Sequence, residues 1–210
     1  MLYVKPATVE KAKIVFYKGS KFLVYPGVYE PAEDTFLLAD NLDVRGGEQV
    51  LELGTGCGLL SILAAKAGAR VVATDINPAA IECARANAAE KGVADIIDFR
   101  LGDLFEPVEG ECFDLVVFNP PYLPVEPGER LGEPLELAWE AGKDGRRVID
   151  RFLSELPSHI GSNGRALFVQ SSLSNAFETL QLLEANRFKV KMVREKLFFE
   201  ELFLFACFRT

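Results

Sequence analysis

The stretch Val50-Leu51-Glu52-Leu53-Gly54-Thr55-Gly56-Cys57-Gly58 decides the fold. Its first four residues form a strand, and the run that follows, residues 59–67, is a helix ended by Gly68. Between them three glycines let the backbone turn sharply and approach a ligand closely. Their spacing is G-x-G-x-G, not the G-x-G-x-x-G of dinucleotide-binding folds.

Moving outward, the same strand–helix alternation continues. Residues 70–75 predict a strand, and Asn77 caps a helix with Pro78 in its first position, running to about Lys91-Gly92. Strands follow at 96–101 and 114–118. Residues 123–133 carry Pro124, Pro127, Gly128 and Gly132 and predict a functional loop. Helical pattern resumes at 135–139 and 146–156, where Trp139 fits either core or groove. A strand at 164–170, a helix capped by Ser174 and running to Ala185, and a closing antiparallel pair at 188–195 and 202–208 complete the chain. This order predicts an α/β fold with a doubly wound, mostly parallel sheet. Upstream, residues 14–17 and 22–25 flank a Gly-containing turn and read as a β-hairpin. Residues 32–42 read as a helix with Pro31 at its start. The domain reading is a hairpin extension over 1–27 and one domain over 28–210.

With 210 residues, 49% of them hydrophobic and 16 of them Phe, the chain supports one sizeable core. No apolar run is long enough to span a membrane, and the first residues lack a signal-peptide pattern. A net charge of −8 disfavours non-specific nucleic-acid binding and fits a basic protein partner. Cys57, Cys83, Cys112 and Cys207 are scattered, so they read as small buried hydrophobes in a reducing, cytoplasmic setting rather than as a metal site. The single histidine, His159, sits in what reads as a helix end.

Two further acids lie at strand ends. Asp75 is placed to accept from two ribose hydroxyls, and Asp103 from an adenine amino group while Leu104 packs on the ring. Each has a plain alternative: a helix cap for Asp75, a turn residue for Asp103. Glu52 is a strand acid that needs a partner if buried. Together with Gly54, Gly56 and Gly58, and with no P-loop lysine present, these residues fit S-adenosylmethionine better than ATP or NAD.

Asn119-Pro120-Pro121-Tyr122 follows the strand at 114–118. Ligands of open α/β sheets sit past the carboxyl ends of strands. The prolines remove two backbone donors, and Pro120 biases Asn119 toward an extended conformation. The Asn119 side-chain oxygen and the Pro120 carbonyl then form a rigid acceptor pair suited to a planar –NH2 group. Tyr122 is either the wall of that slot or an aromatic plug.

These motifs resemble the class I S-adenosylmethionine methyltransferases that modify planar nitrogens, which have a seven-stranded Rossmann-like sheet. Val28-Tyr29-Glu30-Pro31-Ala32-Glu33-Asp34-Thr35, Thr74-Asp75-Ile76-Asn77-Pro78 and Asp144-Gly145-Arg146 narrow the resemblance to the archaeal and eukaryotic branch of HemK-type protein glutamine methyltransferases. The resemblance implies cofactor contacts at Thr35, Glu52, Gly54, Asp75, Asp103, Leu104 and Asn119, and substrate contacts at Asn119, Pro120, Pro121 and Tyr122. It implies N5-methylation of the glutamine of a Gly-Gly-Gln motif in a class I termination factor; adenine N6 or protein lysine are the alternative targets. It also implies a heterodimer with a small zinc-binding activator at the edge strand Ile96-Ile97-Asp98-Phe99-Arg100-Leu101. The other reading is that Ile97, Phe99 and Leu101 face the domain's own helices.

Overall fold

In a computed structural model of the protein, residues 11–124 and 141–209 are described. The loop at 125–133 and the helical pattern around Trp139 lie outside them. Seven strands among the described residues make one sheet. They are β3 (Gln49–Leu53), β4 (Arg70–Asp75), β5 (Ile97–Leu101), β6 (Phe113–Phe118), β7 (Ile160–Ser171), β8 (Phe188–Lys196) and β9 (Glu201–Arg209). Their order is β5-β4-β3-β6-β7-β9-β8. The first five are parallel, while β9 runs antiparallel to both β7 and β8. The doubly wound, mostly parallel reading therefore stands. The strand order reverses between β3 and β6, which opens a crevice beyond their carboxyl ends.

Period-2 alternation sorts each strand between two cores. Val50, Val71, Leu115 and Val117 face one layer, made with α1 (Glu33–Asp40), α2 (Leu59–Lys66) and α3 (Pro78–Glu90). Leu51, Leu53, Val116 and Phe118 face the other, with α4 (Arg147–His159). That second layer contains a run of aromatic contacts, Phe118 to Phe152 to Phe168 to Phe205, with ring centroids 4.9–5.2 Å apart. The N-terminal hairpin, β1 (Lys13–Tyr17) and β2 (Ser20–Val24), packs Tyr17, Phe22 and Val24 into the first layer. Buried Asn87 of α3 fixes it: its Oδ1 accepts from Leu23 N at 2.9 Å, while its Nδ2 donates to the carbonyls of Leu23 and Cys57, each at 2.8 Å.

Two boundaries differ from expectation. The helix α5 (Ala176–Ala185) is capped by Asn175, not Ser174, because residues 172–174 form a separate 3-10 turn. Strand β7 begins at Ile160 rather than 164, and a register shift between Phe113 and Leu115 accommodates the extra residues. His159 is the last residue of α4, stacked on Phe105 at 4.4 Å with Nδ1 beside the Glu111 carbonyl, so it is a core histidine. Of the cysteines, Cys112 is exposed and the other three are buried. No helix among the described residues is long and apolar enough to cross a membrane.

Candidate active site

A cavity of about 380 Å³ lies beyond the carboxyl ends of β3, β4, β5 and β6. It has two distinct walls.

The first wall is the glycine turn. Gly54, Gly56 and Gly58 all have positive φ, where L side chains are strained. Gly54 and Gly56 line the cavity, and a Cβ at Gly56 would meet nothing within 4 Å. Gly58 is not among the lining residues. A Cβ there would come within 2.9 Å of the Ala84 side chain, so its bareness lets α2 start tightly against α3.

The carboxylates of this wall find partners inside the protein. Glu52 Oε2 accepts from Thr55 Oγ1 at 2.7 Å, from Ser61 N at 2.9 Å and from Ser61 Oγ. The partner this buried acid requires is thus its own turn and helix. Complete burial pushes its carboxyl up to about 7, against the opposing pull of the Ser61 and Thr55 donors. Asp75 Oδ2 accepts from Gly56 N and Oδ1 from Asn77 N, each at 2.9 Å, so one side chain shapes both the glycine turn and the start of α3. Burial raises its carboxyl too, while those backbone donors lower it. Asp103 Oδ2 pairs with Arg151 Nη1 at 2.8 Å, closing the rim. Leu104 lines the cavity with φ +44°, a left-handed conformation costly for a branched residue. Two residues earlier the turn needs a glycine, because a Cβ on Gly102 would lie 2.3 Å from Pro107 Cγ. Burial raises the Cys57 thiol, which leaves it protonated and a poor nucleophile.

The second wall is the Asn119-Pro120-Pro121-Tyr122 turn. Asp34, buried on α1, organises it. Its Oδ2 accepts from Tyr29 Oη at 2.8 Å and from Tyr122 Oη at 3.0 Å. Its Oδ1 accepts from Thr35 Oγ1 at 3.2 Å and from Thr35 N. A hydroxyl has one proton. With the Thr35 proton directed at Asp34, the Thr35 oxygen is an acceptor, and Asn119 Nδ2 donates to it at 3.1 Å. That choice fixes the amide's orientation. Asn119 Oδ1 is then the face left over, buried and without a hydrogen-bond partner among the described residues. Burial, and after it the Asp34 charge, raise both phenols far above their ordinary range, so both remain donors. Gly145, at φ +72°, lies under the turn; a Cβ there would be 2.2 Å from the Tyr122 carbonyl oxygen. Buried Arg146 holds that underside by donating to the carbonyls of Ser174 and Asn175 and to Asp150.

The structure thus brings all of the expected site residues except Gly58 to one cavity. Sequence reasoning on single residues overlooked Tyr29 and Asp34. Both lay inside the Tyr29 to Thr35 stretch, but the feature that marks them is their bond to Tyr122, 88 residues from Asp34.

A family model described as the methyltransferase small domain matches residues 20–127. A Methanocaldococcus jannaschii protein called a protein N5-glutamine methyltransferase is 44% identical over 93% of this chain and 99% of its own length. The chain belongs to the HemK-type class I methyltransferases, archaeal and eukaryotic branch. Other HemK-type relatives include human Methyltransferase HEMK2, 38% identical over 76% of this chain and 79% of its own. The solved Mtq2–Trm112 complex of E. cuniculi, which methylates the termination factor eRF1, contains a chain that superposes with a TM-score of 0.68. It is 27% identical and covers 88% of this chain and 99% of its own. The fold alone is shared with a T. thermophilus 16S rRNA methyltransferase at 21% identity and a TM-score of 0.68, covering 95% of this chain and 50% of its own.

Proposed function

We propose that this methyltransferase transfers a methyl group from S-adenosylmethionine to the side-chain amide nitrogen of a glutamine, in the Gly-Gly-Gln motif of a class I termination factor. The observation that carries the chemistry is Asn119 Oδ1, a buried acceptor with no partner at the end of a fixed hydrogen-bond chain. Buried polar atoms are rarely left unpaired, and each exception calls for an explanation. A glutamine –NH2 group answers this one. The choice of glutamine over adenine draws on the relatives, among them release factor glutamine methyltransferases.

Asp75, Gly54, Gly56 and Leu104 would hold the nucleoside end of the cofactor, and Thr35 and Asn119 its methionine end. The donors on the Asp75 carboxylate leave lone pairs free to accept from ribose hydroxyls. Bound there, S-adenosylmethionine supplies a sulfonium methyl, an electrophile with a good leaving group. An amide nitrogen is a weak nucleophile because its lone pair is delocalised. Asn119 Oδ1 and the Pro120 carbonyl would accept its two N–H groups, orient the lone pair and stabilise positive charge as it develops. Once methylated the nitrogen is strongly acidic and sheds a proton to water, so no strong base is required. Asp34 acts through Tyr122 as a positioning residue: it fixes the phenol and hence the ring that walls the slot.

The proposal includes a heterodimer with a small zinc-binding partner on the β5 edge and a cytoplasmic setting, where termination factors act; that the E. cuniculi protein is found in complex with Trm112 supports a heterodimer. The edge offers exposed Leu101, at 57%, with Ile96 and Ile76 beside it. Ile97 and Phe99 face inward instead; Phe99 is 5% exposed, with the Arg85 guanidinium 5.1 Å above its ring. Phe99→Glu should therefore unfold the domain, while Leu101→Glu should weaken only the complex, as thermal melts and co-purification would separate. For the reaction itself, labelled methyl transfer to an intact Gly-Gly-Gln protein should succeed. Label appearing in DNA or RNA but not in that protein would refute the reading.

A further inference from the structure

Strands β8 and β9 join through Phe198-Phe199. Lys196 pairs with Glu201, and Leu197 N donates to the Glu200 carbonyl at 2.9 Å, which leaves the two phenylalanines as the connecting residues. Turns of this length favour Asn-Gly, Asp-Gly or glycine first, because they need positive φ. Neither Phe has positive φ, so turn chemistry does not explain this pair. Core packing does not explain it either: Phe198 is 92% exposed and Phe199 88%, their ring centroids 4.7 Å apart. Residues on either side of the pair are part of the active-site wall. Leu197, Glu200 and Leu202 line the cavity, and Glu200 lies near enough to Tyr122 to help raise its phenol. A second, shallow depression of about 330 Å³ borders the other side of the turn, with Ser172 and Lys196. The aromatic pair therefore stands as a ridge at the mouth of the methyl-transfer cavity.

We propose that the Phe198-Phe199 turn is a hydrophobic lip that grips an apolar side chain of the protein substrate next to the target glutamine. This rests on the glutamine reading above. A substrate whose side chain enters the cavity past Leu197 and Glu200 must lay its neighbouring residues on this ridge. The charges around it are balanced rather than cationic, which favours protein over a phosphate backbone: Arg147 and Arg151 share the cavity with Glu33 and Glu200, Arg151 is paired with Asp103, and Lys196 shares the turn's depression with Glu200 and Glu201. Glu200 Oε2 is buried without a hydrogen-bond partner among the described residues, which offers the incoming chain an acceptor for an N–H.

The test is the double variant Phe198→Ser with Phe199→Asn, polar residues that a turn without positive φ accommodates; with both side chains exposed, it should melt no lower than the wild type. Steady-state methylation of the intact Gly-Gly-Gln protein should show KM raised roughly tenfold or more, with kcat and cofactor affinity within about twofold. An unchanged KM overturns the lip and leaves the glutamine reading intact. A shift from dimer to monomer with unchanged KM also overturns it, and makes the pair a self-association face. Wild-type activity on an adenine oligonucleotide but not on the protein overturns the lip together with the reading it rests on.

Discussion

On the glycine-turn side of the cavity, Glu52, Asp75 and Asp103 all have partners within the protein; on the Asn119 side, the buried acceptors Asn119 Oδ1 and Glu200 Oε2 have none among the described residues. The difference separates two tasks. The first wall must exist before any ligand arrives, because its carboxylates hold the backbone turn in shape. The second wall is held just as firmly from behind, through Thr35, Asp34 and two tyrosines, but it leaves its front open for a donor. One side is a mould and the other is an unfinished hydrogen-bond pattern that the substrate completes.

The largest expected effect lies on the open side. Asn119→Ala should lower turnover by ~100-fold or more while cofactor binding changes by less than about tenfold. Isothermal titration alongside kcat measures this, and equal losses in both would make Asn119 a pocket residue. Next comes Glu52, on the closed side. Burial pushes its carboxyl up to about 7 in the folded protein, above the ordinary glutamate value that an unfolded chain has. Between those values the native state holds more protons, so stability should fall as pH rises through that window, by up to about 3 kcal/mol. Glu52→Gln should flatten the slope in denaturant midpoints; a slope unchanged by the substitution would place the titration elsewhere.

Asp34→Asn should cost turnover about tenfold through a displaced Tyr122, again with cofactor affinity largely kept. Tyr122→Phe should account for part of that loss, since Asp34 also accepts from Tyr29 and Thr35, and the double variant should lose little more than Asp34→Asn alone because the Tyr122 bond is common to both. Additive losses would break the proposed chain. The smallest effect belongs to the rim: Asp103→Asn removes a half-exposed ion pair with Arg151, and unfolding stability should change by less than about 1 kcal/mol.

Much of this was legible in the sequence because its causes are local. Alternating and continuous apolar runs gave the strands, Asn77-Pro78 a helix start, and the glycine spacing a turn that no other residue type adopts easily. Misplaced boundaries arose where two local signals compete. Ser174 and Asn175 are both capping residues, and nothing nearby favours one until the chain turns at 172–174. The polar Gly161-Ser162-Asn163-Gly164 looks like a turn but is carried in β7 as a bulge, between the pairs Ile160–Phe113 and Arg165–Leu115 with β6. In the site, what was hidden is non-local. Glu52 looked like an acid awaiting a ligand because its partner Ser61 is nine residues away on a helix. Phe99 looked available to a partner because an edge strand shows period 2 but not which face the protein covers for itself. Asp34 looked like an ordinary first-turn acid of a helix until Tyr122 reached it.

The most direct test of the central claim is mass spectrometry of a class I termination factor after incubation with this chain, its partner and S-adenosylmethionine. The account predicts one added methyl group on the side-chain nitrogen of the Gly-Gly-Gln glutamine, absent when Asn119→Ala replaces the wild type. An unmodified glutamine under conditions where the chain methylates another residue or a nucleic acid would contradict it.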